Sequence, residues 1–74
     1  MNEIKVAERV GKNLKYLIKK SKYKTQDKFA IEAMHVDPST VRRWISQGIR
    51  DINVIEEIAE VLEVDFVRLF VEEE

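Results

Sequence analysis

Apolar residues recur along this chain at helical spacing, and no run alternates as a strand would. Val6, Val10, Leu14, Leu17 and Ile18 fall at i, i+4, i+8, i+11 and i+12, which predicts one apolar helix face over about residues 5 to 20. The rest of that helix surface is basic, with Lys12, Lys15, Lys19 and Lys20. After the polar stretch Ser21 to Lys24, Thr25 is an N-cap candidate, and Asp27 in the first turn complements the positive end of the helix dipole. The second helix buries Phe29, Ala30, Ala33 and Met34 and fades near His35.

Asp37 followed by Pro38 is the clearest start signal, because Asp caps free backbone N–H groups and Pro is preorganised for the first helical position. In this third helix, predicted over about 38 to 47, Val41, Trp44 and Ile45 form an i, i+3, i+4 apolar stripe. At about 100° per residue the opposite face is centred between Ser39 and Arg43, with Ser46 alongside and Arg42 and Thr40 on the flanks. Gly48 suits the helix end. A fourth helix runs from about Ile52 or Asn53, where Asn53 and Glu56 have capping-box spacing, to about Glu63. Asp65 then caps a short fifth helix crowded with Phe66, Val67, Leu69, Phe70 and Val71, before an acidic tail at 72–74. The expectation is a compact all-α, five-helix unit with a helix-turn-helix at about 25–47.

Seventy-four residues with two Gly and one Pro accommodate one domain, 1–74, and leave no room for a second. The absence of Cys excludes disulfides and thiolate metal sites. The charged N-terminus lacks a signal-peptide pattern and no run is long enough to span a bilayer, so no membrane partner and a cytoplasmic location are expected. The net charge of -1 argues at first against a polyanionic partner, but it averages two unlike segments. Residues 1–50 hold twelve of the thirteen Lys and Arg against five acids, a balance of +7, whereas residues 51–74 hold one Arg against nine acids, a balance of -8. Such a division suggests one face that attracts polyanions and another that does not.

The run TQDKFA, then VDPSTVRRW, a glycine, and VIEEIAEVLEVDFVRLF resembles the five-helix DNA-binding domain of the lambda repressor and Cro type, the XRE family. The resemblance spans roughly Val10 to Phe70. It departs from the family pattern in two places. The stretch from Ala30 to Val41 is one residue longer, and Ile18 and Ile45–Ser46 stand near the positions of a family Arg–acid ion pair, which is therefore not expected. An apolar contact can replace such a pair at little cost.

The resemblance implies that the third helix enters the major groove of duplex DNA with its second and sixth residues, Ser39 and Arg43, facing base edges. Arg matches guanine O6 and N7 with its fork of donors. Gln26 and the N–H groups opening the second helix match the family's phosphate clamp, and Lys24, Lys28, Thr40, Arg42, Ser46 and Gln47 are further phosphate or flank candidates. The implied function is sequence-specific DNA binding that regulates transcription, as a repressor acting as a homodimer. Phe66, Val67, Leu69, Phe70 and Val71 are either the dimer surface or part of the monomer core.

A protein-binding module, such as the antitoxin of a toxin–antitoxin pair, is the alternative, because the acidic C-terminal third would attract a basic partner. Trp44 belongs with the core stripe. His35 is a lone imidazole, and Ser39 has no His and acid at triad spacing, so neither enzyme chemistry nor a cofactor is expected. Glu56–Glu57 and Glu72–Glu74 read as a solvated face and tail, with no metal site.

Overall fold

The computed structural model describes residues 3–71, with the side chains of residues 5–71, and the acidic tail at 72–74 lies outside the described residues. Helix α1 is Glu3–Lys20, α2 is Gln26–Lys28 continued by wider π-helical turns over Phe29–Met34, α3 is Pro38–Gln47 and α4 is Ile52–Leu62. A short 3-10 turn, Phe66–Leu69, stands where the apolar pattern predicts a fifth helix. No strand occurs among the described residues.

Local chemistry starts most of these elements where the caps predict. Thr25 Oγ1 accepts from Lys28 N at 3.2 Å, Asp37 Oδ1 from Ser39 N at 2.9 Å, and Asp65 Oδ1 from Val67 N at 3.1 Å. The fourth helix corrects one expectation. Asp51, not Asn53, caps it, and Asp51 Oδ1 accepts from the Asn53 backbone N–H at 2.9 Å. The helix therefore starts at Ile52, and Asp51, two residues before Asn53, satisfies one of its orphan donors.

The second helix widens before the turn that leads to α3. The backbone N–H groups of His35 and Val36 both reach back to the Ala30 carbonyl, the latter at 2.9 Å, so one turn is widened and the loop is not lengthened. His35 then takes a left-handed conformation, φ 58, which reverses the chain toward the Asp37 cap. The turn between α2 and α3 thus keeps Val36 packed against the core.

Val10, Leu14, Ile18, Phe29, Val41, Ile58 and Leu69 are fully buried and form the centre of that core. The α1 face keeps Val10, Leu14, Leu17 and Ile18 of the predicted spacing and adds Ala7 and Gly11, whereas Val6, the first residue of that spacing, is only half-buried and lies outside the core. Gly11 lies where α1 crosses the end of α3. A Cβ there would stand 2.7 Å from both the Trp44 and Ile45 carbonyl oxygens, closer than any side-chain carbon tolerates. Gly48, at φ 90, ends α3 against Ala7, where an added Cβ would meet the Ala7 carbonyl oxygen and Cβ.

The last turn is 3-10, with Arg68 N donating to Asp65 O at 2.8 Å and Phe70 N to Val67 O at 2.9 Å, and the carbonyls that follow are held by α1. Buried Asn13 donates through Nδ2 to the carbonyls of Arg68 at 3.3 Å, Leu69 at 3.0 Å and Val71, and Arg9 Nη1 reaches Phe70 O at 3.4 Å. These are the C-terminal carbonyls of the turn, which have no donor within it, and side chains of α1 satisfy them. The turn divides its apolar residues between core and surface. Leu69 is completely buried and cannot belong to a dimer surface, Phe66 and Phe70 are half-buried with ring centroids 5.0 Å apart, and Val67 and Val71 are exposed. A four-residue turn can direct only one side chain squarely into the core, and the remainder divide between flank and solvent.

Two outcomes are expected. Asn13→Ala leaves buried carbonyls without a donor and should lower unfolding free energy by about 1 to 3 kcal/mol in urea titration; a loss below about 0.5 kcal/mol would refute the anchoring role. Gly11→Ala should cost a further, separate 1 to 3 kcal/mol or so by forcing α1 and α3 apart, measured in the same way.

Candidate nucleic-acid interface

α3 is amphipathic because its three apolar positions recur at one-turn spacing. Val41 is fully buried and Trp44 and Ile45 are half-buried, which turns Ser39, Arg42, Arg43, Ser46 and Gln47 to the surface. Thr40 is half-buried on the flank, and its backbone N–H donates to Asp37 O at 2.8 Å.

The adjacent arginines differ in their surroundings. Arg42 Nη1 bonds Asp27 Oδ1 of α2 at 3.1 Å. The two side chains are 57% and 67% exposed, so this pair contributes at most about 1 kcal/mol and releases easily. The Arg43 guanidinium has no acceptor among the described residues, and only its backbone carbonyl is used, by Ser46 Oγ at 3.3 Å. One arginine is thus tied across to the neighbouring helix while the next keeps all its donors.

At the other edge, a cleft of about 550 Å³ separates the start of α2 from α1. Gln26, half-buried, sits in it with Lys24, Thr25 and Asp27, and α1 supplies Lys15, Ile18 and Lys19. Lys28, although on α2, is not among the lining residues. The chain enters the cleft through a tight reversal, with Lys24 at φ 67 and Thr25 N donating to Tyr23 O at 2.7 Å, a γ-turn geometry that is uncommon for a residue with a side chain. Lys15 and Lys19 are additions to the sequence-derived set. Their i, i+4 spacing already aligned them on one face of α1, but only the fold shows that this face meets Gln26.

Asp37 joins the cap of α3 to its surface. Its Oδ1 accepts from the Ser39 backbone N–H at 2.9 Å and from Ser39 Oγ at 2.8 Å. The backbone bond, then the hydroxyl bond, hold the carboxyl below its ordinary range, against an opposing desolvation and with Arg42 adding the smallest contribution.

The chain shares its fold with a solution structure of the SOS-response transcriptional repressor LexA from Eubacterium rectale, with a TM-score of 0.77 at 23% identity over 100% of this chain and 78% of that one. No family model and no curated protein matches the chain. At this identity the likeness establishes the arrangement of helices.

The lowered Asp37 pKa has a testable consequence. A carboxyl with a depressed folded-state value stabilises fully above its unfolded value, near 3.9, and that contribution is lost as pH falls through the lower folded value. Asp37→Ala should therefore be less stable than the parent at neutral pH, and the gap should shrink on acidification below about pH 4. Thermal denaturation followed across pH 2 to 7 checks this; a gap that stays constant would contradict it.

Proposed function

We propose that this chain binds duplex DNA sequence-specifically and regulates transcription, as a repressor of the lambda repressor and Cro type. The observation that carries the reading is the pairing of an outward α3 face, with Ser39 and an unengaged Arg43, and a lysine-rimmed cleft at the start of the preceding helix. A helix of ten residues is about 15 Å long, enough to lie in a major groove and present one turn to base edges. Lys15, Lys19, Lys24 and Gln26 then face a phosphate beside the groove.

In this reading Arg43 reads guanine through O6 and N7, while Arg42 exchanges Asp27 for a backbone phosphate. Because its present partner is an exposed carboxylate, that exchange costs little. Ser46, Gln47, Thr40 and Lys28 border the same face and contribute position rather than sequence information. The share of exposed apolar surface on Val67 and Val71 supports a homodimer that would set two half-sites about 34 to 36 Å apart.

Selection from random duplexes, repeated at two salt concentrations, tests the function. The expected outcome is a related set of sites and affinity that falls steeply with salt; no enrichment together with weak binding at low salt would reject it. Within an enriched site, Arg43→Ala should cost about 1 to 3 kcal/mol and relax preference at one base pair. Arg42→Ala should weaken binding evenly across sequences and lower the salt slope by about 1. Identical behaviour of the two variants would remove the distinction between their roles.

A further inference from the structure

We infer that Ser39 recognises a base carrying an exocyclic amine, adenine through N6 or cytosine through N4, because Asp37 obliges its hydroxyl to meet the groove as a hydrogen-bond acceptor. The inference rests on the DNA-binding reading above and specifies what one position of α3 selects.

A serine hydroxyl has one proton and two lone pairs, so in general it can serve either kind of base edge. Here the choice is made within the protein. Ser39 Oγ lies 2.8 Å from Asp37 Oδ1, and an ionised carboxylate has no proton to give, so the hydroxyl proton occupies that contact. The same Oδ1 is held in place by the Ser39 backbone N–H at 2.9 Å, as the cap of α3. Turning the proton outward would break a bond to a charged acceptor, the stronger class, and would leave oxygen facing oxygen.

What remains on Ser39 Oγ is lone-pair density, with the Asp37 charge behind it. In the major groove the amines of adenine and cytosine are the donors, whereas guanine O6 and N7 and thymine O4 are acceptors. An acceptor edge at Ser39 would meet repulsion from both the hydroxyl oxygen and the carboxylate. Arg43 stands one turn further, about 6 Å along the axis, and is a donor only. The outward face of α3 is therefore polarised, acceptor near its N-terminus and donor beyond, and it fits an amine-bearing base followed shortly by guanine.

The test uses the full chain and its enriched duplex. The base pair facing Ser39 is the one whose identity ceases to matter in Ser39→Ala, an exposed position at which Ala is compatible with a helix. At that pair the amine is deleted by placing purine for adenine or 2-pyrimidinone for cytosine, and in a separate duplex a purine N7 is deleted with a 7-deaza base. Loss of the amine should weaken the parent about fivefold, the size of one net hydrogen bond, and leave Ser39→Ala unchanged. Loss of N7 should not alter the difference between parent and variant.

Asp37→Ala, which frees the hydroxyl, should admit guanine or thymine at that position, provided circular dichroism shows its helices retained; if they are not, the base-analogue arms decide. The inference is overturned if amine deletion weakens both proteins equally, if the Ser39-dependent loss follows N7, if folded Asp37→Ala keeps the same preference, or if Ser39→Ala changes no base preference although a site is enriched. Failure to enrich any duplex overturns the DNA-binding reading and this inference with it.

Discussion

The contact of α1 backbone with the last carbonyls of α3, allowed by Gly11, is the constraint on which the arrangement depends. A residue with a Cβ at that crossing would have to sit 2.7 Å from the oxygens of Trp44 and Ile45, so the two helices approach as closely as they do only because position 11 is empty. The close crossing draws Val41 into the core and leaves Trp44 and Ile45 half-covered. The opposite face of α3 then has nowhere to go but solvent. Gly48 extends the same contact, letting the chain turn past Ala7 and send Ile49 into the core ahead of α4. The exposed candidates on α3 owe their position to this crossing more than to their own chemistry.

Asn13 is its counterpart at the other end of the fold. The buried amide gathers carbonyls from residues 68, 69 and 71, and it thereby fastens the final turn to α1 and seats Leu69 in the core. A buried amide is tolerated because its donors are used, and no buried side-chain polar atom among the described residues lacks a partner. A small domain has little apolar area to spare, so a polar anchor that replaces a fifth helix stabilises the fold economically in length.

Charge is arranged on the same frame. The basic α1 surface and the start of α2 come together at the cleft with Gln26, whereas α4 exposes Glu56, Glu57 and Glu60. A near-neutral whole thus carries a locally positive edge, and the field near that edge, not the net charge, governs attraction of an anion. Asp27 and Asp37 interrupt the positive edge with structural tasks of their own, one holding Arg42 and the other capping α3. Fixed carboxylates of this kind narrow which hydrogen bonds their neighbours can still offer.

Much of this was legible in the residues alone where the governing distances are short. Thr25, Asp37 and Asp65 announce helix starts because a cap bonds an N–H two or three residues away, and the stripes of α1 and α3 follow from 3.6 residues per turn. Asp51 displaced Asn53 as a cap because both satisfy the same local rule and the rule does not rank candidates two residues apart. The widened turns of α2 had no signature in the residues, since the same apolar spacing serves an α and a π turn. Gly11, Asn13, the Asp27–Arg42 pair and the inward turn of Leu69 carried no local signature. Their partners lie 15 to 58 positions away along the chain in the two hydrogen-bonded cases, and such pairs exist only after packing has brought distant segments within a few ångströms. Short-range chemistry therefore determined where the helices begin and which faces they bury, while the closed tertiary structure alone decided which polar groups are spent inside the molecule and which remain to meet a partner.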